Sequence, residues 1–207
     1  MLAFSYFMLS LLNTTEGAIT GFIHSYGYVA IFVLMALESA SLPIPSEVVL
    51  PLVGLFSAQG VINPYLAFIV VFVAGLLGMA IDYYIGYYVG KEVIYKHLRA
   101  FRVKKETLDA FDAWFSKNGA FAVFVGRLLP EVRGLVSLPA GFAVMPKRKF
   151  FFYSAIGTLI WDIVLMSFGY YALDSGSAYV TLIAVGLLAT ILYAIYALAM
   201  SRVIKRR

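Results

Sequence analysis

The sequence predicts an all-α polytopic membrane protein, with an inverted repeat of two re-entrant helical hairpins. A transmembrane helix follows each hairpin, and one more lies near the C-terminus. Hydrophobic residues make up 62% of the 207 residues and charged residues only 13%. A water-soluble domain of this size cannot bury so much apolar surface. Prolines interrupt two of the apolar stretches, and the basic residues gather in clusters.

The chain opens with an apolar run that is too short to cross a membrane. A crossing needs about 20 apolar residues, and only residues 1–12 precede the polar break at residues 13–17. Residues 1–17 are therefore predicted to form an external interfacial helix. No basic segment precedes this run, so it does not resemble a cleaved signal peptide.

Residues 18–62 are predicted to form the first re-entrant hairpin. Pro43 and Pro45 lack a backbone N–H and restrict the residue before them, so a helix must stop there. Two helical pieces flank the break, at about residues 29–40 and 46–58. Each piece is too short to cross a bilayer. The alternative is a kinked spanning helix at residues 18–40 followed by a second helix, and the sequence leaves it open.

Residues 65–90 form the first predicted span, and a charged, aromatic connector follows at residues 91–117. Four glycines in the span allow close approach of helices: Gly75, Gly78, Gly86 and Gly90. Apolar side chains in the connector recur at helical spacing: Leu108, Phe111, Trp114 and Phe115. This spacing predicts a cytoplasmic amphipathic helix on the membrane surface.

The second half of the chain repeats this order. Its segments are a second hairpin at residues 118–146, a span at 150–172, and a C-terminal span with a basic cytoplasmic tail at 174–207. Three residues are predicted to break the second hairpin: Pro130, Pro139 and Gly141. Residues 18–173 together form the predicted core.

An internal repeat relates the two halves. A shift of 92 residues places Gly27 on Gly119, and a shift of 82 places Pro64 on Pro146. A hairpin returns to the face that it entered, whereas a span crosses the membrane. The second unit therefore starts from the opposite face, as in an inverted repeat.

The basic residues predict the orientation. All 16 lysines and arginines lie at or after Lys91, and all but Arg127 and Arg133 fall in three clusters, at residues 91–117, 147–149 and 202–207. The positive-inside rule places these clusters in the cytoplasm. The N-terminus is then external and the C-terminus cytoplasmic, in a plasma or inner membrane. Because membrane segments separate the clusters, no nucleic-acid-binding surface is expected.

Four charged residues within the hairpins are the main functional candidates: Glu38, Glu47, Arg127 and Arg133. An arginine at bilayer depth costs roughly 2.5–3.5 kcal/mol, so it faces a polar cavity or a partner. Its planar guanidinium suits phosphate. Partly desolvated carboxyls can exchange protons near neutral pH. The pattern predicts an anion-attracting pocket where the hairpins meet near the midplane.

Structural roles compete with these functional ones. Glu47 follows a helix start, where a carboxylate simply stabilises the helix dipole. Glu38 and Arg127 can instead form a static ion pair that holds the hairpins together. Three further acids are secondary candidates: Asp82, Glu131 and Asp162. Glu131 lies between the arginines and can neutralise one of them, and the two aspartates can serve only as hydrogen-bonding residues in helix packing.

At these residues the sequence resembles the DedA family of membrane proteins, which share the VTT domain. The resemblance covers about residues 25–170. The first-hairpin motif is Glu38 followed by Pro43-x-Pro45-Ser-Glu47, and the signature motif is Phe124-x-Gly-Arg127-x-x-Pro130-x-x-Arg133 followed by Pro139-Ala-Gly141. Many members place Asp directly after the glycine that matches Gly78, where this chain has Met79.

The resemblance implies a lipid transporter, a flippase or scramblase for polyprenyl phosphates or phospholipids. It also implies proton-dependent activity in which four matched residues are essential: Glu38, Glu47, Arg127 and Arg133. The arginines would hold the phosphate, and protonation of either glutamate would bias which side is open. Membrane lipids and protons are then the expected partners, and the glycine faces permit a homodimer.

Three alternatives remain. The first is a proton-coupled transporter of a small ion or drug, in which the arginines are only structural. The second is an intramembrane enzyme such as a lipid phosphatase, but no nucleophile–base pair is evident, so an enzyme is not expected. The third is a membrane scaffold. With no cysteine and with two distant histidines, His24 and His97, neither a metal site nor another cofactor is expected.

Overall fold

The computed structural model describes residues 17–90, 105–129 and 132–173. The helices are, in chain order, α1 (residues 17–26), α2 (Tyr28–Ser39), α3 (Ser46–Ala58), α4 (Pro64–Ile85), α5 (Lys105–Arg127), α6 (Ser137–Phe142) and α7 (Lys147–Phe168). Helices α4 and α7 each continue into a π-helical turn, Gly86–Gly90 and Gly169–Leu173. These ranges contain no strand, which confirms the all-α prediction for them.

The predicted break in the first hairpin is confirmed. Helix α2 ends at Ser39 and α3 begins directly after Pro45, which has an extended backbone (φ −76°, ψ 98°). Between them Ser41 has a positive φ of 60°. Helices α1 and α2 are separated only by a turn at Gly27, whose φ is 54°. Because α1 continues so closely into α2, the alternative of a kinked helix at residues 18–40 also stays open.

Two of the three predicted spans, those at residues 65–90 and 150–172, are confirmed as long apolar helices. Among the described residues, two helical segments have the length and hydropathy to cross a membrane, Pro64–Tyr88 and Lys147–Tyr171. The first begins with a cap, because the Asn63 side chain accepts hydrogen bonds from the backbone N–H groups of Tyr65 and Leu66. Pro64 takes the first helical position, where a missing N–H costs nothing.

The helices expose apolar side chains on their surface and bury several charged ones among the apolar core. One face of α4 exposes an apolar residue at every fourth position: Ile69, Val73, Leu77, Ile81 and Ile85. The largest fully buried side chains include Arg127 and Arg133. A water-soluble protein almost never fully buries arginine and seldom exposes so long an apolar stripe. This arrangement is that of a protein whose surroundings are lipid.

Helix α3 packs against α7 and the π-helical turn that follows it. A side chain at Gly54 would overlap the backbone of Met166 and Tyr170, and one at Gly169 would overlap the backbone of Pro51. The two backbones therefore touch directly, and only glycine fits at these positions.

The short helix α6 makes the same kind of contact with α4 and its π-helical turn. A side chain at Gly86 would overlap the backbone of Leu138, and one at Gly141 would overlap the backbone of Tyr83 and Tyr87. In each half of the chain, the helix after the break packs on the long helix of the other half. We call these two contacts the crossed helix contacts.

The second hairpin differs from the prediction at its breaks. Pro139 and Gly141 do not interrupt a helix, because both lie inside α6. Pro139 is tolerated there since the first turn of a helix needs no N–H donor. The chain instead leaves helical structure after Arg127 and turns until α6 begins. Helix α5 also runs through residues 117 and 118 without interruption, with Trp114 exposed and Phe115 buried.

The glycines of α4 serve packing within the chain. A side chain at Gly78 would overlap the backbone of Ala36 and Ala40, and one at Gly75 would contact Thr158. Gly86 belongs to the crossed helix contacts. These three glycines therefore give no support to the homodimer prediction.

Several predicted segments lie outside the described residues. They are the interfacial helix at residues 1–17 except its last residue, residues 91–104 of the connector, Pro130, Glu131, and the C-terminal span and tail at residues 174–207. The side chains of Leu108 and Phe111 are outside as well. The division of the chain into a core and terminal segments stays a prediction.

Candidate functional site

The tips of the two predicted hairpins meet at an ion pair between Glu38 and Arg133. Arg133 Nε lies 3.0 Å from Glu38 Oε1, and Arg133 Nη2 donates to Glu38 Oε2 at 3.3 Å. Ser39 Oγ donates to the same Oε2 at 3.0 Å. Both charged residues are almost completely buried. Of these two contacts only the one from Nη2 has hydrogen-bond geometry, because Nε makes no hydrogen bond. The ion pair holds the end of α2 against the turn that follows α5.

Arg127 holds the second tip together. In the last turn of α5, its Nη1 donates to the carbonyl oxygen of Arg133 at 2.8 Å, and its Nη2 donates to Ser137 Oγ. Its aliphatic stem lies against Gly157 of α7, where a Cβ would come within 2.6 Å of Arg127 Cβ. The alternative in which Glu38 pairs with Arg127 is therefore wrong, because Glu38 pairs with Arg133. Arg127 braces the turn that presents Arg133.

A second link joins the tips through Ser41. Its hydroxyl hydrogen-bonds Asp82 Oδ2 of α4 and lies 3.1 Å from the carbonyl oxygen of Gly134. A Cβ on Gly134 would approach the Glu38 carbonyl oxygen to 3.2 Å, so the two backbones are close here. A positive φ at a serine costs about 1–3 kcal/mol. The hydroxyl has one hydrogen to donate, and its bond to Asp82 offsets part of that cost. Asp82 thereby anchors the first tip to the first span.

Helix α7 contributes the third wall. The Arg133 guanidinium carbon lies 5.2 Å from the centre of the Trp161 ring, a cation–π contact. The neighbouring Asp162 is fully buried, and neither of its carboxylate oxygens has a hydrogen-bond partner within the described ranges. Five buried charged residues thus come together, and we call them the buried charge cluster: Glu38, Asp82, Arg127, Arg133 and Asp162.

The remaining predicted site residues lie elsewhere. Glu47 is exposed, in the first turn of α3, so the structure does not bring it into the buried charge cluster. Pro43 is exposed and Pro45 half-buried at the start of the same helix. Pro130 and Glu131 lie outside the described residues.

The sequence did not single out the hydroxyl residues of the site. Ser39, Ser41 and Ser137 each bond a charged residue of the cluster. The pattern of two serines on either side of an alanine, directly after Glu38, was the available signal for two of them. The sequence did not single out Trp161 either, since its contact with Arg133 depends on how α7 faces the second tip.

The cluster combines positive charge with unused donors. Arg127 Nε, Arg133 Nη1 and Trp161 Nε1 are buried and have no hydrogen-bond partner in the part of the chain that the structure describes. A buried donor without a partner costs about 1–3 kcal/mol. An anion with several acceptor oxygens, such as a phosphate, can accept hydrogen bonds from all three of these donors.

Comparisons with known proteins agree with the motifs. The VTT domain family matches residues 44–171. Undecaprenyl phosphate transporter A of Staphylococcus aureus is 36% identical over 164 residues, which cover 77% of this chain and 81% of that protein. The Bacillus subtilis protein of the same name is 34% identical over 143 residues, 69% of this chain and 70% of that protein.

A third relative has a name of another kind. The alkaline phosphatase-like protein of Lactococcus lactis subsp. cremoris is 33% identical over 154 residues, 70% of this chain and 71% of that protein. No solved structure matches the chain. The family match covers more than half of the sequence and agrees with the hairpin motifs described above. The chain therefore belongs to the DedA family of membrane proteins, which share the VTT domain.

Proposed function

We propose that this protein moves an anionic lipid across the membrane and that the lipid is a polyprenyl phosphate. The observation that carries the proposal is the pair of buried arginines at the junction of the two tips, each of which has a donor without a hydrogen-bond partner among the described residues. The two relatives named undecaprenyl phosphate transporter A support the same substrate class. A phospholipid headgroup presents the same phosphate chemistry and is the second substrate to test.

The phosphate would bind without breaking the pair between Glu38 and Arg133. Arg127 Nε, Arg133 Nη1 and Trp161 Nε1 would donate to its oxygens, while Glu38 keeps the rest of the Arg133 guanidinium oriented. The polyprenyl tail can stay in the bilayer, because the protein needs to shield only the headgroup. Two short hairpins are long enough to shield such a headgroup from the bilayer.

The transport architecture would be an inverted repeat of two re-entrant hairpins. The crossed helix contacts support this, since Gly54 meets α7 in the way that Gly141 meets α4. Exposed basic side chains begin α7 at residues 147–149, which by the positive-inside rule supports a cytoplasmic location for that end. The N-terminus would then be external and the C-terminus cytoplasmic. A homodimer remains a proposal without support from the helix packing.

Proton dependence is part of the proposal. Protonation of Glu38 would release Arg133 and so loosen the junction of the tips, which is a direct way to bias the open side. Glu47 is exposed to the surroundings in the first turn of α3. We therefore propose that both glutamates couple transport to protons.

Glu47→Gln separates coupling from a purely structural role. We expect transport to lose its dependence on a proton gradient, while the free energy of unfolding falls by less than about 1 kcal/mol from the weakened dipole interaction. Transport in vesicles with and without an imposed gradient measures the first effect, and denaturation in detergent the second. Unchanged coupling would assign Glu47 only to the helix start.

Arg127→Ala tests the substrate site. We expect a loss of polyprenyl phosphate transport of about 10- to 100-fold, because charge-assisted hydrogen bonds contribute about 1.5–3 kcal/mol. Transport is measured in proteoliposomes, with the folded fraction of each variant determined beforehand. Arg148→Ala is the matched control, since Arg148 is an exposed arginine on α7. Equal rates for the wild type and the Arg127 variant would refute the proposal.

The same vesicles test the other functions. The pairing of Arg133 with Glu38 favours one alternative, a transporter of a small ion or drug in which the arginines are structural. In that case soluble ions, but not lipid phosphates, would compete for transport. Release of inorganic phosphate from the lipid would instead support a phosphatase, the activity that the name of the Lactococcus relative suggests for that relative.

A further inference from the structure

One face of α7 is polar although it is buried. Three residues at four-residue spacing line it: Ser154, Thr158 and Asp162, each at most 1% exposed. Their hydroxyl and carboxylate oxygens have no hydrogen-bond partners within the described ranges. Buried polar atoms in proteins are nearly always hydrogen-bonded, and each exception calls for a functional explanation. Acidic residues at membrane depth are rarer still.

Asp162 differs from the other two buried acids in its hydrogen-bond and ion-pair partners. Glu38 is paired with Arg133 and also accepts from Ser39. Asp82 is hydrogen-bonded by Ser41. Asp162 has neither an ion-pair contact nor a hydrogen bond among the described residues, yet it interacts electrostatically with both arginines and with Glu38. Its negative charge is the least compensated of the three.

The buried charge cluster contains three carboxyl groups and two guanidinium groups. With every acid ionised it carries one negative charge more than positive charge, before any ligand is added. A phosphate would enter beside Trp161 and Arg133, next to Asp162, and would raise the negative charge further. A like charge nearby and a lack of water both favour the neutral form of a carboxyl group.

We propose that Asp162 takes up a proton when the anionic headgroup binds between α7 and the second tip. The proton removes the repulsion between the carboxylate and the phosphate, so one proton enters the site with each lipid. The inference rests on the proposed function for its ligand. It adds a second proton site, at which the proton is taken up together with the lipid, to the protonation of Glu38 that would release Arg133.

Other charged and titratable groups also face α7 from the elements packed against it. They are Glu38 of α2, Glu47 of α3, Asp82 and Tyr83 of α4, Arg127 of α5, and Arg133 of the second tip. Tyr83 stacks on Phe150, three turns of α7 before Asp162, and Glu47 is exposed. Among the residues whose burial the structure describes, the two arginines, Glu38 and Asp82 are therefore the buried charges that can alter the proton affinity of Asp162.

Asp162→Asn provides the test, with a short-chain prenyl phosphate as the probe. In a Trp114→Phe background, Trp161 is the only tryptophan left, and its fluorescence reports binding next to Arg133. For the wild-type site we expect affinity to fall about tenfold per pH unit as the pH rises, the slope for one linked proton. Asp162→Asn stays neutral, so the pH slope of its affinity should be smaller by the contribution of one proton, and its affinity should exceed that of the wild type at high pH.

A second measurement needs no lipid. Infrared difference spectra between acidic and basic conditions report the carbonyl stretch of a protonated carboxyl group. We expect a band that Asp162→Asn removes and that Asp82→Asn, the matched buried acid, retains.

The outcomes are distinguishable. An unchanged pH slope in Asp162→Asn, or an infrared band that survives this substitution, would overturn the assignment. Absence of prenyl phosphate binding in every variant would count against the proposed function, and the infrared titration would still decide whether Asp162 is a proton site.

Discussion

Arg133→Ala is expected to lower the free energy of unfolding by about 3–5 kcal/mol and to abolish lipid transport. The stability loss follows because the substitution leaves the Glu38 carboxylate buried without its ion partner. Glu38→Ala should cost a similar amount, since it leaves the Arg133 guanidinium unpaired. Denaturation of the purified variants in one detergent, at one pH, measures both effects.

The double variant Glu38→Ala with Arg133→Ala separates structure from function. Removal of both partners leaves neither of these two charges without the other, so we expect the double variant to be more stable than either single variant. Transport should remain absent, because the substrate would still lack the Arg133 donors. Recovery of transport together with stability would show that the pair only holds the tips together. A stability loss equal to the sum of the single losses would contradict the ion pair itself.

Gly169→Ala is expected to destabilise the protein by about 1–3 kcal/mol or more, the usual cost of overpacking. The added methyl group would overlap the backbone of Pro51, and backbone moves less readily than a side chain. Gly86→Ala should behave alike, because its methyl group would overlap the backbone of Leu138. Thermal denaturation in detergent gives the comparison.

Gly21→Ala is the matched control for this series. Gly21 lies in α1, and a Cβ there would have nothing within 4 Å. Alanine favours a helix over glycine by about 1 kcal/mol, so this variant should be slightly stabilised. If Gly169→Ala and Gly86→Ala resembled Gly21→Ala, the crossed helix contacts would not exist. If only one of them were destabilised, the two contacts would not be equivalent.

The crossed helix contacts limit how the two halves of the chain can move during transport. The long helix of each half packs against the short helix that follows the break in the other half, through direct backbone contact at glycine. Such contacts leave no side chain to rearrange, so the two halves can move only together or by sliding at these points. The junction of Glu38 with Arg133 is held by side chains and can open without such a shift.

The sequence by itself determined the helix boundaries around the first break and the chemical character of the site. Prolines stop helices for covalent reasons, so α2 and α3 end and begin where Pro43 and Pro45 require. Long apolar segments predict spans because lipid admits few alternatives. Arginine in an apolar stretch predicts a polar interior for the same reason, and both arginines are buried as expected.

Only the tertiary structure decided which of these groups meet. Arg127 and Arg133 are six residues apart, on a helix end and a turn whose course no local pattern predicts, so the sequence did not show that Arg133 pairs with Glu38. Helical spacing likewise does not reveal that Glu47 is exposed while Asp162 is fully buried. Those contacts depend on how the helices cross, and the crossing is set by backbone packing at glycines far apart in the chain.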